Sequence, residues 1–287
     1  MPHPGPIQEN AQDHNPNNLP MQVAAVYERV IDASLARAWE NVLDWEHLPH
    51  LHDSSFSSLE LEDAGQWGWR ARTKGVPEAT SPETLIELVV DRPNSRYVSR
   101  TLAGGLPGME IWTHFAKADE RKTEIKVEFH IPNVDKDGAA KLGALMLGLY
   151  ETLWDEDERM MVERQTALDA RTLSAKNAKD PQIDLGDVKE LTSKLPLTVE
   201  LAGKAVNIVE YEGTLHAYSA ECPHMLAPLS EVPVDKEGCI TCPWHGYRFD
   251  IQSGRVVGGE KLRLGPAYSI SVNSAGQAIL KATADKK

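Results

Sequence analysis

The sequence predicts an α+β chain in two parts: an N-terminal domain of antiparallel strands closed by a long helix, then a small all-β domain. Three observations carry this expectation. Between residues 56 and 131, six short strand-like runs are separated by Gly, Pro, Asn and Asp turns. One unbroken helical pattern comes next, from about Lys136 to Ser174. Beyond a polar, Pro-interrupted stretch at 175–185 (AKNAKDPQIDL), short strands again alternate with turns to the end of the chain. The 287 residues suffice for two domains with cores of their own, at about 150 residues each.

Taken in order, residues 1–20 are rich in Pro, Asn and Gln and poor in apolar side chains, which predicts a disordered leader. Residues 21–32 (MQVAAVYERVID) alternate as a first strand. Asp32 is expected to cap a helix running to Leu43, with Leu35, Ala38 and Trp39 on its inner face. Strands are expected at 56–62, 67–73, 83–90, 97–102, 109–115 and 123–131, and the long helix completes a domain over 21–175. Residues 176–185 are expected as a linker. The second domain, 186–287, should hold strands at 197–201, 204–211, 214–219, 247–250, 269–272 and 277–281. No internal repeat is present.

A net charge of −13 argues against nucleic acid and anionic membrane surfaces as partners, because both select basic patches. No apolar run reaches the length of a membrane span and no signal pattern opens the chain, so a cytoplasmic protein is expected. Three cysteines make no disulfide framework.

Two of them belong to paired clips, Cys222-Pro-His224 and Cys242-Pro-Trp-His245. Two thiolates and two imidazoles suit a [2Fe–2S] centre with histidines on one iron, and they also suit tetrahedral zinc. The flanking residues, CPHMLAPLSE and CPWHGYRFDIQSGRVVGG, resemble the Rieske family over about a hundred residues. That resemblance implies a [2Fe–2S] cluster held by Cys222, His224, Cys242 and His245, with Cys239 left as a reduced thiol nearby.

A second constellation is Asp44-Trp-Glu-His47-Leu-Pro-His50-Leu-His52. Asp44 and His47 share a helical face, and Pro49 suggests a bend before His52. A polar, His-rich surface segment would account for the same residues without a metal. On the long helix, four carboxylates stand in a row, and periodicity separates them. Asp157 falls within the apolar stripe of Met146, Tyr150, Leu153, Trp154, Met160 and Met161, whereas Asp155 points away and Glu156 and Glu158 flank it. A carboxylate there must be ion-paired or metal-bound.

The strand and helix order resembles the helix-grip, START-like fold, which leaves a cavity between sheet and last helix. The segment ENVLDxxHxxxxH resembles the catalytic domain of Rieske non-haem iron oxygenases, in the monooxygenase and demethylase branch. The helix segment from Glu156 to Gln165 resembles that family's carboxylate motif, with one extra residue before Glu163. The resemblance implies a mononuclear Fe(II) on His47, His52 and Asp157, the two-histidine, one-carboxylate set. It gives Asp44 the role of electron bridge to the cluster of a neighbouring subunit. The order is permuted, since the family usually places its Rieske domain first.

The same resemblance implies an O2-dependent oxygenase component, a monooxygenase, demethylase or dioxygenase acting on a small apolar or aromatic molecule. Electrons would come from a separate reductase, with or without a ferredoxin, and a homotrimer is expected by analogy. The competing class is a non-catalytic Rieske ferredoxin fused to a START-like ligand-binding domain. Trp67, Trp69, Trp112, Met146, Tyr150 and Trp154 are cavity candidates, His114 and His130 are expected in core or cavity-wall positions, and the glycine-rich stretch 102–108 is expected as a mobile loop at the cavity mouth.

Overall fold

The computed structural model describes residues 21–174, 182–259, 261–265 and 268–282. The chain divides into two compact units, one ending at Val162 and one beginning at Glu163. The expected leader and residues 176–181 of the expected linker lie outside the described residues.

The first unit is built on seven strands: β1 (Gln22–Ile31), β2 (Phe56–Gly65), β3 (Gly68–Gly75), β4 (Thr84–Asp91), β5 (Arg96–Ala103), β6 (Glu110–Lys117) and β7 (Thr123–Ile131). They form one antiparallel sheet in the order β1-β7-β6-β5-β4-β3-β2, so that five successive hairpin pairings are closed by β1 on β7. Alternation explains why these strands are legible. In β7, Ile125, Val127, Phe129 and Ile131 are buried while Glu124, Lys126 and Glu128 point outward. β2 is an edge strand carrying Glu60, Glu62 and Asp63 and two register shifts, features that discourage further strand pairing.

Between β1 and β2 lie α1 (Leu35–Leu43), a 3-10 turn (Trp45–His47) and α2 (Leu48–Leu51). Ser34, not Asp32, caps α1: its Oγ accepts from Arg37 N at 3.4 Å, while Asp32 is ion-paired with Lys122 at 2.7 Å. Ala38 and Trp39 are buried and Leu35 packs beside them, on the inner face as expected.

The long helix α3 (Lys136–Ser174) is proline-free and rich in Ala, Leu, Met and Glu, which suits an uninterrupted helix of about 58 Å. Its Tyr150, Trp154 and Met161 pack against Trp69, Ala71, Leu88 and Phe115 of the sheet. A second cluster joins Val127, Phe129 and Ile131 to Leu142, Met146 and Tyr150. Rings meet edge-on, Phe129 with Tyr150 at 4.8 Å and Trp39 with Phe115 at 5.1 Å. Helix and β1 approach so closely at Gly143 that an added Cβ would sit 2.4 Å from the Ala24 carbonyl oxygen.

Among its described residues, the second unit contains α4 (Val188–Thr192) and eight short strands. β9 (Leu197–Leu201), β10 (Lys204–Tyr211) and β11 (Thr214–Ser219) form one sheet in the order β11-β10-β9. β12 (Cys239–Thr241) and β13 (Arg248–Asp250) form a hairpin. β8 (Gln182–Asp187), β14 (Tyr268–Val272) and β15 (Gln277–Ala282) form the third sheet, around a core of Leu201, Val206, Ile208 and Leu280. Residues 182–185, expected within the linker, are therefore strand: β8 pairs with β15, and Ile183 and Leu185 pack on the core. The architecture is α+β. No helix among the described residues is long and apolar enough to cross a membrane.

Candidate functional site

In the first unit, Asp44 ends α1, His47 ends the 3-10 turn, and His52 comes directly after α2. The Pro49 bend is a short helix, and it turns His47 and His52 the same way. Their rings lie 5.0 Å apart at 75°, and each presents Nε2 to Asp157 Oδ1, His47 at 3.4 Å and His52 at 3.3 Å. The three ligand atoms lie within 4.8 Å of one another, and among the described residues no other group of three His, Cys, Asp or Glu is gathered this way. Both histidines are buried, and the Asp157 side chain keeps 13% exposure. Exposed His50 stands outside the group.

The helix is rotated into this position by its other carboxylates. Arg29 of β1 pairs with Asp155 and Glu158, and Glu158 also accepts from the Asp32 backbone N–H at 2.6 Å. Asp157, on the opposite side from Asp155, is thereby turned inward.

Two neighbours that periodicity did not single out as partners complete the arrangement. Asn41 Nδ2 donates to Asp157 Oδ1 at 2.8 Å, and Glu156 Oε2 lies 2.6 Å from His52 Nδ1. A carboxylate only accepts, so His52 carries hydrogen on Nδ1. When His52 is neutral, its Nε2 lone pair is left for a metal. The adjacency of Glu156 and Asp157 was the signal for that pair. Asn41 lies three residues before Asp44, but nothing in its type marks it. Burial pushes the Asp157 carboxyl up, but the His52 hydrogen bond, the charges of His52 and His47, and the Asn41 amide together hold it below the usual range. Burial likewise opposes a charged His52, yet Asp157 and Glu156 raise its pKa. A cation is favoured where these groups meet, and two imidazoles with one carboxylate fit a divalent iron. Asp44 Oδ2 lies 3.7 Å from His47 Nδ1, beside this group but beyond hydrogen-bonding distance.

The group lines a cavity of about 270 Å³ whose walls come from both sheet and helix. Trp69, Ile86, Leu88, Met146, Leu153 and Trp154 give it mostly apolar walls, and Tyr150 lines it too. Trp67 and Trp112 do not. Trp67 lies in the β2–β3 turn, and Trp112 is on the opposite face of the sheet, stacked with Arg96 at 4.6 Å. His114 and His130 share that opposite face with Glu128, at 3.9 and 3.4 Å, and are not cavity wall. Alternation decides this: on β6, Met109's neighbour Ile111 faces the cavity, so Trp112 and His114 face away. The glycine-rich stretch joins β5 to β6 next to Thr101 and Met109, two cavity residues.

In the second unit, the two Cys–His clips sit on loops of matching backbone design. Cys222 N–H donates to the Ala227 carbonyl at 2.9 Å, and its carbonyl accepts from Leu226 N–H at 3.0 Å. Cys242 repeats this with Tyr247 at 2.8 Å and Gly246 at 3.0 Å. In each loop the residue four after the cysteine takes positive φ, Leu226 at 70° and Gly246 at 67°. The neighbouring Cys222 and Cys242 thiols interact, so that one, Cys242, is held down while the other, with burial, is pushed up. The His224 and His245 rings meet at 4.5 Å and 82°. Two adjacent sulfurs and two adjacent imidazoles match the donor set of a mixed-ligand cluster. His224 remains half-buried, whereas His245 is buried. Cys239 is buried on β12, its Sγ 3.9 Å from the Glu237 carbonyl oxygen.

Comparison with known proteins agrees with both halves. Residues 182–269 match the family described as Rieske [2Fe-2S] domain, and residues 22–155 match that described as Polyketide cyclase / dehydrase and lipid transport. Chloroplastic pheophorbide a oxygenase of Oryza sativa subsp. japonica is 37% identical over 65 residues, 22% of this chain and 12% of that protein. The ferredoxin component of the alkene monooxygenase system of Xanthobacter autotrophicus is 29% identical over 86 residues, 29% of this chain and 70% of that protein. Among solved structures, the Zhui aromatase/cyclase of Streptomyces sp. R1128 matches with a TM-score of 0.43 and 13% identity, covering 50% of this chain and 95% of that one. The match to the oxygenase thus spans about an eighth of that relative's length. A Rieske [2Fe–2S] domain at the C-terminal end supports the cluster over the zinc alternative. The chain joins an N-terminal polyketide cyclase/START-like domain to a C-terminal Rieske [2Fe–2S] domain.

Proposed function

We propose that the chain is the oxygenase component of a Rieske non-haem iron system, hydroxylating or demethylating a small apolar or aromatic molecule. The observation that carries this is the convergence of His47, His52 and Asp157, within 4.8 Å, in the lining of a mostly apolar cavity. Iron held by these residues would supply O2-activating chemistry, with electrons from the cluster held by Cys222, His224, Cys242 and His245. The protein's own part is positioning. Glu156 fixes the His52 ring, Asn41 steadies the Asp157 oxygen, and the apolar walls orient substrate and exclude water from the reacting end. Asp44 is the bridge from His47 towards the cluster of a neighbouring subunit in a trimer. Half-buried His224 is the side from which electrons enter and leave. The electron source is a separate reductase, with or without a ferredoxin, in the cytoplasm.

One observation favours a second reading, an electron carrier joined to a ligand-binding domain: the likeness to a ferredoxin component reaches across 70% of that relative. The two readings divide on the triad. In the oxygenase, Asp157→Ala abolishes substrate-coupled O2 consumption with a surrogate reductase and leaves the visible spectrum of the cluster unchanged. Turnover that survives the substitution removes Asp157 from the mechanism.

A further inference from the structure

β5 presents a row of hydroxyls to the cavity: Tyr97, Ser99 and Thr101, alternate residues on one face of the strand, all line it. Alternate residues are about 6.8 Å apart, so the row extends roughly 13 Å. Tyr97 marks the metal end, where its phenol feels the charge of Asp157. Thr101 lies four residues further along the strand, next to the 102–108 stretch. Tyr97 stands opposite Thr113 of the neighbouring strand β6. The Ser99 and Thr101 side chains are partly buried, and neither hydroxyl is a buried orphan, so both are open to a ligand in the cavity. A hydroxyl at an apolar surface is best satisfied by a polar group of the ligand or by water. The lining contains no Lys or Arg, and its charged groups beyond the histidines are the carboxylates Asp44 and Asp157. With a divalent iron bound, Asp44 and Asp157 offset its charge, so an anionic substrate would enter this cavity without a net counter-charge. The volume, about 270 Å³, falls just below the 300–1,000 Å³ of pockets for drug-sized ligands and suits one or two rings.

We propose that the cavity selects an uncharged molecule of one or two rings, its polar end hydrogen-bonded by Ser99 and Thr101 and its apolar, reacting end at His47, His52 and Asp157. This rests on taking the cavity as the substrate site of the oxygenase. It makes Ser99 and Thr101 the specificity-determining residues, remote from the reacting carbon.

Three probes of matched shape test it: 4-ethylacetophenone, 4-ethylbenzoate and 1,4-diethylbenzene. They differ only in carrying a neutral acceptor, an anion or no polar group. Binding to the cluster- and iron-loaded chain is read anaerobically at pH 7.5 by tryptophan fluorescence, Trp69 and Trp154 being in the cavity wall. The ketone should bind about three- to tenfold tighter than the hydrocarbon, and the carboxylate at least about a hundredfold weaker than the ketone. The double variant Ser99→Ala, Thr101→Val should bring the ketone down to the hydrocarbon and leave hydrocarbon binding unchanged, which also shows that the cavity has kept its shape. Carboxylate binding equal to the ketone, a ketone preference that persists in the variant, or no binding of any probe would overturn the proposal. Because no O2 or reductase is present, the outcome is separate from that of the oxygenase reading. A chain that ranks the probes as expected but never couples them to O2 use refutes only the latter.

Discussion

Asp157 Oδ1 is the atom on which the first unit converges, with Asn41 Nδ2 at 2.8 Å and the two Nε2 atoms at 3.3 and 3.4 Å. Glu156 acts one bond further out, through His52. Glu156→Gln should leave the fold and cluster absorbance intact while lowering Fe(II) affinity about ten- to hundredfold, as read by chelator competition. Unchanged affinity would show that the 2.6 Å contact does not orient the ring. At this scale the ligand types were legible, because spacing in a short segment and helical period are local properties. The Cys–His clips are equally local. The partners were not: Asn41 and Glu156 acquire meaning only when α1 and the end of α2 meet α3, with more than a hundred residues between each contacting pair.

Helix α3 performs two tasks as an element, covering the sheet and carrying Asp157, and both depend on how near it lies to β1. Its glycines separate these requirements. At Gly143 a Cβ would meet the Ala24 carbonyl at 2.4 Å, whereas at Gly148 nothing lies within 4 Å. Gly143→Ala should destabilise the first unit by about 1–3 kcal/mol. Gly148→Ala should stabilise it by up to about 1 kcal/mol through helix propensity. Thermal unfolding monitored by circular dichroism checks both, at roughly 2–4 °C per kcal/mol, and equal shifts for the two would refute the close approach. The helix and most strands could be read from period and turn residues. β8 could not, because QIDLGD is a strand by virtue of its pairing with β15, almost a hundred residues later. The start of α1 was misread for a related reason. Asp32 and Ser34 are both good caps, and the ion pair with Lys122 on a distant turn takes Asp32 out of contention.

For the whole molecule, two halves were legible from the polar break near residue 180, and each half carries its own donor set. The division between compact units falls instead at Val162, inside α3, where helical periodicity continues without interruption and leaves no mark in the sequence. A cluster in one unit and a mononuclear site in the other are the features that distinguish an oxygenase from a carrier. Iron stoichiometry therefore tests the central claim most directly. Anaerobically reconstituted protein, freed of loosely bound metal, should hold about three irons per chain, two in the cluster and one at His47, His52 and Asp157. Asp157→Ala should hold about two, with an unaltered cluster spectrum. Two irons in the unsubstituted chain, or three in Asp157→Ala, would contradict the account.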